Sequence, residues 1–584
     1  MDKVWILKQT DTSGCADSLA KELNIGSVLA NLLVQRGINT YDEARNFFRP
    51  NLKNLHDPFL MKDMDKAVNR IDIAIERGEK IMIYGDYDVD GTTAVALVYD
   101  FLKDFYDRLE YYIPDRYSEG YGISYKGIDY AAENGFTLII ALDCGIKAVE
   151  KIDYALEKGI EFIIADHHRP GDIIPRAVAV LDPKRADCPY PYKELSGCGV
   201  GFKLIQAYTI KKGLPLDKLY LFLDMVVVSI ASDIVLITGE NRLMAYFGLK
   251  LLNTNPRPGL EALLLTSGIE RIEGNPNRNF NKELTISDLV FIIGPRINAA
   301  GRMESGKNSV ELLTTPNLNQ AMQFAEQINT CNNERRNLDA FTTQQAISTL
   351  NNQPEIKTQR TTVVYEPEWH KGVIGIVASR LTEVYYRPTI VFCQANGLIT
   401  GSARSIKDFD IYDAIDSCSD LLEHFGGHTY AAGLSLKPEN LPVFIERFEN
   451  YAKNYFGNIV PIPEIEIDSE LMLTDINQKF FNILKQFAPF GPGNMAPVFH
   501  TDMVMDTGYS RLVGKNHIKL SVIHPHVSGF PISGIAFGFG EFAEDICKGT
   551  PFSICYHIEE NEWNNKVNLQ LNVKDIKMGT PRSE

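Results

Sequence analysis

Strand-like apolar runs alternate with stretches of helical spacing between residues 71 and 210, and this alternation sets the plan of the first large part of the chain. Runs 81–84, 109–113, 138–142, 162–165 and 177–181 are the strand candidates, and 81–84 reads as a short buried strand. Segments 124–134 and 148–158 carry the 3.6-residue period of amphipathic helices. Strand and helix in turn predict a parallel sheet with helices on both faces. Ahead of it, Val28, Leu29, Leu32 and Leu33 mark a short helical lead-in that ends at Arg49-Pro50-Asn51, with packing on the next domain as its expected role.

Further along, the pattern changes twice. Residues 317–352 are polar and helix-prone, and Ala321, Phe324, Ala325, Ile328 and Leu338 give a thin stripe, which predicts a helix connecting two lobes. A second lobe starts near Thr361, with strands at 362–365 and 388–392, a glycine-rich turn entering a helix at 370–381, and a further segment at 398–405. Residues 459–463 form a proline-rich linker and 487–497 a turn-dense hinge. Short alternating segments at 498–504, 517–523, 533–539, 552–558 and 567–573 then predict a small barrel.

The strand at 81–84 leads straight into three carboxylates at alternate positions, Asp86, Asp88 and Asp90. Gly91 breaks the run, and Ala94, Val95, Leu97, Val98, Phe101, Leu102 and Phe105 continue as a helix. Open α/β sheets place ligands at the carboxyl ends of their strands. The theme repeats: run 138–142 ends in Asp143, run 162–165 in Asp166-His167-His168, and the apolar run 225–232 in Asp233. Acids this close raise one another's pKa, and a hard divalent cation is the simplest remedy. Carboxylates with imidazoles and no thiolate favour Mn²⁺ or Mg²⁺ over structural zinc. Enough acids are present for two cations sharing a bridging carboxylate, an arrangement suited to phosphoester hydrolysis.

Composition tests this reading. At 584 residues the chain exceeds a single core. A net charge of −16 repels nucleic acid as a whole, so a phosphate-bearing substrate requires local basic clusters and acids that hold metal. Nine cysteines, an odd number with no Cys-x-x-Cys pair, argue against a disulfide framework or zinc ribbon. Cys144 reads as a small buried residue. No apolar run reaches the roughly 18 residues of a membrane span, and residues 1–10 lack a signal region. A cytoplasmic location is expected.

Asp86-Tyr-Asp88-Val-Asp90-Gly, Asp143-Cys-Gly, Asp166-His167-His168 and Ser-Asp233 resemble the successive motifs of the DHH phosphoesterase superfamily. Gly294-Pro-Arg-Ile-Asn298-Ala-Ala-Gly301-Arg302-Met and Phe425-Gly426-Gly427-His428 extend the resemblance to the bacterial RecJ nuclease family over most of the chain. The resemblance implies an α/β fold: after a lead-in (1–55), a parallel-sheet DHH domain (56–316) is joined by a long helix (317–355) to a smaller α/β DHHA1 domain (356–458), followed by a C-terminal OB-fold β-barrel (464–580).

It also implies a function: a 5′-to-3′ exonuclease of single-stranded DNA, yielding mononucleotides in repair and recombination. Two cations, Mn²⁺ or Mg²⁺, would be held by Asp88, Asp90, Asp143, His167 and Asp233, with Asp143 the bridge. Where some relatives begin the first motif with a histidine ligand this chain has Tyr84, and Asp86 either compensates or stands behind the ligands. His168 faces substrate or orients His167. Asn298 positions the scissile phosphate, with helix capping as its alternative, and Arg302 stabilises that phosphate. Arg116, Ser402 and Arg404 hold the 5′ phosphate; for Arg116 alone the plain reading is a surface salt bridge. His428 contacts substrate, although without the resemblance a buried structural histidine would be favoured. Arg511, Lys515, His517 and Lys519 supply charge to the barrel.

Expected partners are single-stranded DNA, with single-strand-binding protein and a helicase as candidates, no membrane, and a monomeric chain. Two other functions stand against this one. The first is phosphodiester hydrolysis of short oligonucleotides, from which a stronger effect of barrel removal on long strands than on dinucleotides would distinguish it. The second is a catalytically silent single-strand-binding scaffold.

Overall fold

A computed structural model describes residues 3–9, 14–303, 305–353, 356, 358–395, 397–525, 529–563 and 566–579. Parts of the predicted lead-in (1–2 and 10–13) lie outside the described residues. The chain forms two compact units, one built from 3–294, 313–316 and 464–584, the other from 295–312 and 317–463.

In the larger unit, strand β1 (Val4–Leu7) precedes helices α1 (Cys15–Leu23), α2 (Ser27–Val34) and α3 (Tyr41–Phe48). Thr40 begins α3 with a capping box: its side chain accepts from the Glu43 N–H while Glu43 reaches back. Then come α4 (Met64–Glu76), β2 (Lys80–Gly85), α5 (Val89–Lys103), β3 (Leu109–Tyr112), α6 (Tyr125–Glu133), β4 (Phe136–Leu142), α7 (Val149–Glu157), β5 (Glu161–Ala165) and β6 (Ala179–Leu181). Helices α8 (Gly197–Lys211), α9 (Leu216–Tyr220), α10 (Leu223–Ser232) and α11 (Gly239–Thr254) follow.

Five strands form one wholly parallel sheet in the order β3-β2-β4-β5-β6. Gly85 pairs with Leu142, Leu142 with Ala165, and Ala165 with Leu181, so four strands end level. The residues that follow them, Asp86, Asp143, Asp166 and Asp182, therefore leave the sheet along one edge. The chain steps from β2 outward to β3 and then returns past it to β4. That reversal creates a crevice at the β2/β4 switch point, the standard ligand position of an open α/β sheet. Helices α5, α8 and α10 pack on one another and are buried on nearly every side. The apolar run ending at Asp233 is thus helix α10 rather than a strand, because a continuous apolar stretch has no period to separate a buried helix from a buried strand.

The second unit holds most of the helix Gly294–Met303, the 34-residue helix Leu318–Asn351, and a mixed sheet. Its strands β7 (Thr362–Tyr365), β8 (Thr389–Ala395), β9 (Leu398–Arg404), β10 (Leu422–His428) and β11 (Ala431–Leu436) lie in the order β10-β11-β9-β8-β7. The helix Ile374–Tyr385 covers β8 and β9.

The C-terminal segment returns to the larger unit. Strands β12 (Glu464–Ile467), β13 (Ser469–Glu470), β14 (Phe499–Asp506), β15 (Arg511–Val513), β16 (His517–Ile523), β17 (Ile532–Phe537), β18 (Phe552–Trp563) and β19 (Lys566–Met578) complete it. Seven of them, β13 to β19, form one sheet closed on itself by an extra β14–β16 pairing. The lead-in packs here and not chiefly on the following domain. Leu29, Leu32 and Leu33 share one core with Phe480, Phe487, Phe499 and Val504, and β1 pairs with β12. Phe47 and Phe48 set their rings edge-on to Phe487 at 5.6 and 5.4 Å.

Phe487 is fully buried between these two ends of the chain. Phe487→Ala should therefore lower unfolding stability by about 3–5 kcal/mol. A denaturant midpoint unchanged from the parent would show that the lead-in and barrel do not share a core.

Candidate metal centre

Backbone groups hold each acid at the sheet edge. Asp86, wholly buried, accepts the Tyr87 N–H at 2.6 Å on one oxygen and the Gly122 N–H at 3.1 Å on the other. Asp88 caps α5 by accepting the Gly91 N–H at 2.9 Å. Residue 91 has to be glycine, since a Cβ there would lie 2.5 Å from the Asp86 carbonyl oxygen. Asp90 receives three hydrogen bonds: from the Gly197 and Cys198 N–H groups, each at 2.7 Å, and from the Ser229 hydroxyl at 2.7 Å. The first two come from the start of α8, where unpaired amides and the helix dipole favour an anion.

Asp143 takes a left-handed backbone (φ 58°), and its Oδ1 is buried with no hydrogen-bond partner. His167 supplies the reason. Its Nδ1 lies 3.0 Å from the Leu195 carbonyl oxygen, which can only accept, so Nδ1 carries the hydrogen. Burial lowers the imidazole pKa despite Asp90, which leaves Nε2 as a bare lone pair. That lone pair faces Asp143 Oδ1 at 3.1 Å, Asp90 Oδ2 at 3.6 Å and Asp233 Oδ2 at 3.6 Å. Three carboxylate oxygens thus converge on an imidazole nitrogen that offers no hydrogen of its own.

The titration of these acids agrees with that crowding. Burial, then Asp90 and Asp88, pushes Asp143 well above the carboxylate range. The same causes raise Asp233 to about 8. Burial and Asp88 raise Asp86, and burial raises Asp88. Asp166 goes the other way. Burial works against its charge, but the hydrogen bond and charge of His168 and the Ile146 N–H outweigh it, giving about 2. Its carboxylate accepts from the Ile146 N–H at 2.9 Å, the His167 N–H at 2.7 Å and His168 Nδ1 at 2.7 Å. Burial lowers His168 in turn, yet the Asp166 bond prevails and lifts it to about 9.

Two overlapping sets of donor atoms, each within 4.8 Å, fit a cation: Asp143 with His167 and His168, and Asp90 with His167 and Asp233. Oxygen and imidazole donors suit Mn²⁺ or Mg²⁺. No thiolate competes, because burial and Asp86 drive the neighbouring Cys144 thiol upward. Asp86 and Asp88 stand outside both sets. Asp86 instead ties down the turn at Gly122, as does Tyr84, whose hydroxyl donates to the Gly122 carbonyl and accepts the Ser124 N–H. His168 bonds Asp166 and not His167, with 41% of its side chain exposed. Arg116 stacks on Tyr87 at 5.0 Å, and among the described residues no carboxylate pairs with it.

Asn298, Arg302, Ser402, Arg404 and His428 belong to the second unit. Asn298 and Arg302 are one turn apart in Gly294–Met303, which places Asn298 mid-helix rather than at a cap. Arg302 donates to the Gly372 carbonyl at 3.0 Å, in the turn that leads into Ile374–Tyr385. Gly375 of that helix abuts Ser402 and Arg404, since a Cβ there would lie 3.0 Å from Ser402 Oγ and 3.2 Å from Arg404 Nη2. Arg404 donates to Ser402 at 3.3 Å, and burial lowers its pKa. A half-buried guanidinium, a hydroxyl and a helix start make an anion cradle. His428 is exposed at the end of β10, so it is not a buried structural histidine. Among the barrel cations, Arg511, Lys515, His517 and Lys519, the register pairs Arg511 with Lys519.

Four residues of the site, Asp182, Leu195, Gly197 and Ser229, escape a reading of the sequence. Asp182 follows β6 as the other acids follow their strands, and burial raises it to about 7. Gly197 was detectable in principle, in the Ser-Gly-Cys-Gly-Val-Gly stretch that opens α8. Leu195 acts through its carbonyl, which leaves no side-chain signal.

Known proteins share this order of domains. Residues 80–230 match the DHH family, N-terminal domain; residues 358–454 match the DHHA1 domain; residues 467–575 match the RecJ OB domain. The single-stranded-DNA-specific exonuclease RecJ of Bacillus subtilis (strain 168) is 37% identical over 98% of this chain and 70% of its own length. The protein of that name from Escherichia coli (strain K12) is 30% identical over 94% and 95%. The crystal structure of RecJ in complex with Mn²⁺ from Thermus thermophilus superposes with a TM-score of 0.82 at 25% identity, covering 99% of this chain and 80% of that one.

A raised carboxyl pKa predicts proton release. At pH 7 Asp233, raised to about 8, mostly holds its proton, which a cation bound at this carboxylate would displace. Mn²⁺ binding should release about one to two protons at pH 7 and tighten as pH rises toward 9. Calorimetry in buffers of different ionisation enthalpy measures this; binding heat independent of buffer would contradict it.

Proposed function

The chain belongs to the RecJ family of single-stranded-DNA-specific exonucleases, and from that membership we propose how its residues divide the work. It is an exonuclease that hydrolyses phosphodiester bonds of single-stranded DNA with Mn²⁺ or Mg²⁺, in DNA repair and recombination. The bound cations supply water activation and neutralise charge growing on the phosphoryl oxygens.

In our reading Asp88, Asp90, Asp143, His167 and Asp233 would hold two cations, with Asp143, whose Oδ1 is buried without a hydrogen-bond partner, the residue suited to serve both. Asp86 keeps the Gly122 turn in place behind them. The observation that carries this assignment is the His167 Nε2 lone pair, which faces three carboxylates while Nδ1 is committed to Leu195. His168 presents Nε2 to the scissile phosphate from the partly exposed side of the cluster. Asn298 and Arg302 position and neutralise that phosphate.

Direction is the second part of the proposal. Arg116, stacked on Tyr87 with no carboxylate partner among the described residues, and the Ser402–Arg404 cradle bind the 5′-terminal phosphate, so hydrolysis proceeds 5′ to 3′ and yields mononucleotides. His428, exposed beside Gly427, contacts the strand. Because a strand must be opened before it is cut, a helicase and single-strand-binding protein are proposed partners of a monomeric, cytoplasmic enzyme. Among the described residues no helix is long and apolar enough to cross a membrane.

Strands blocked at either end test the direction: 3′-blocked strands should be consumed and 5′-blocked ones spared, and equal digestion would refute the polarity. Asp143→Ala should lower turnover by about 100- to 1,000-fold, the several kcal/mol a catalytic cation supplies. Activity that survives both this substitution and a chelator would favour a different centre. Arg404→Ala should cut the preference for 5′-phosphate over 5′-hydroxyl strands about tenfold, as loss of one charge-assisted hydrogen bond does.

A further inference from the structure

The segment that follows Asp233 is strained. Ile234 is 63% exposed and adopts a left-handed backbone (φ 58°), which a β-branched side chain resists. Such a conformation persists only when its surroundings enforce it. Two to four residues further on, at 236–238, the chain meets the hinge before the barrel. The Ile237 N–H donates to the Pro492 carbonyl at 2.6 Å. Gly491 sits against the Ile237 side chain so closely that a Cβ would lie 2.6 Å from Ile237 Cγ1.

The hinge itself is rigid. Asn494, buried, donates to the Phe487 and Pro489 carbonyls, each at 2.9 Å, and accepts from Arg36 at 2.7 Å. Arg242 stacks on Phe47 at 3.6 Å and donates to the Phe47 and Ala488 carbonyls.

From Ile237 the contacts continue toward His167. Asn241 is wholly buried, and its amide nitrogen donates both to the Leu236 carbonyl at 3.0 Å and to the Glu194 carbonyl. Its Oδ1 is buried without a hydrogen-bond partner, so the hydrogen bonds it makes are those two donated ones. The Tyr192 hydroxyl also donates to Leu236, at 3.2 Å. Glu194 is followed by Leu195, whose carbonyl fixes His167.

We infer that the Phe487–Asn494 hinge is a positioning element of the metal centre, acting through Ile237 and Asn241 on Asp233 and His167. This rests on the reading of those two residues as cation ligands. It gives the barrel's attachment a role separate from holding DNA, because the junction that anchors it also sets the geometry of the site. Removing the barrel would therefore weaken catalysis even on dinucleotides that never reach it.

The test uses full-length protein and titrates Mn²⁺ alone by calorimetry, with no DNA. Asn241→Ala and Gly491→Ala perturb the path from opposite ends. Each should weaken Mn²⁺ about tenfold, the usual effect of losing support behind a ligand. The kcat on a dinucleotide should fall while KM for a long strand stays within about twofold. Tyr192→Phe, which removes one hydroxyl and keeps the ring, should give a smaller loss in the same direction and serves if the other two fail to fold. Mn²⁺ affinity within twofold of the parent in every folded variant overturns the inference. Asp233→Ala separates the two levels. If it leaves Mn²⁺ affinity intact, the ligand reading itself fails; if it abolishes binding while the junction variants do not, only the coupling fails.

Discussion

Carboxylate oxygens and an imidazole lone pair point at one another around His167, and only added positive charge lets them stay there. Two like charges 4 Å apart interact by about 4 kcal/mol at the effective dielectric typical of proteins. Asp90 and Asp233 bring oxygens within 4.8 Å of each other in one donor set, and Asp143 faces the same imidazole nitrogen, so the crowding costs a sizeable part of a domain's stability. The fold meets part of it by leaving the acids protonated, as the raised Asp143 and Asp233 show. A cation meets the rest, and the protein is built to offer it the correct atoms.

That offer is made by subtraction. Backbone amides take the outward lone pairs: Gly197 and Cys198 on Asp90, Gly91 on Asp88, Ile146 on Asp166. What remains unsatisfied faces inward. The Leu195 carbonyl does the same for His167 by fixing which nitrogen carries hydrogen. Asp166 is the contrasting case. It is saturated by donors, stays ionised, and serves to hold His168. The overall charge of −16 weighs less against a DNA substrate where a cation neutralises acids at this edge.

How much of this was legible from the residues alone follows from where the information lies. The level strand ends were readable, because a buried parallel strand is a local apolar run and the acid after it is the next letter. The long helix was readable from its polarity, and observation places it at Leu318–Asn351. Helix α10 was not, since a mostly apolar helix with nine of its ten residues buried carries no period. The lead-in's partner was not either: Leu29, Leu32 and Leu33 announce a stripe, but nothing local says that the stripe meets Phe487 more than 400 residues later. Within the site, side chains at strand ends stood out. Supports that act through a backbone carbonyl, such as Leu195, or through a distant asparagine, such as Asn241, left no pattern to find.

The proposed ligand positions are also unequal in how firmly the sheet holds them, which bears on the route of the chain. Asp143 and His167 leave strands whose neighbours are paired on both sides, so the ladder itself fixes them. Asp233 has no strand behind it. It ends a helix and is followed by an exposed isoleucine in a strained conformation, the weakest attachment in the set. A rigid contact from outside the sheet is the physical answer to that weakness. The chain supplies it late, by returning from the second unit to set the Gly491–Asn494 turn against Ile237 and Thr238. A barrel whose sole task was to grip DNA could hang from a flexible linker; this one is anchored where the centre is least supported.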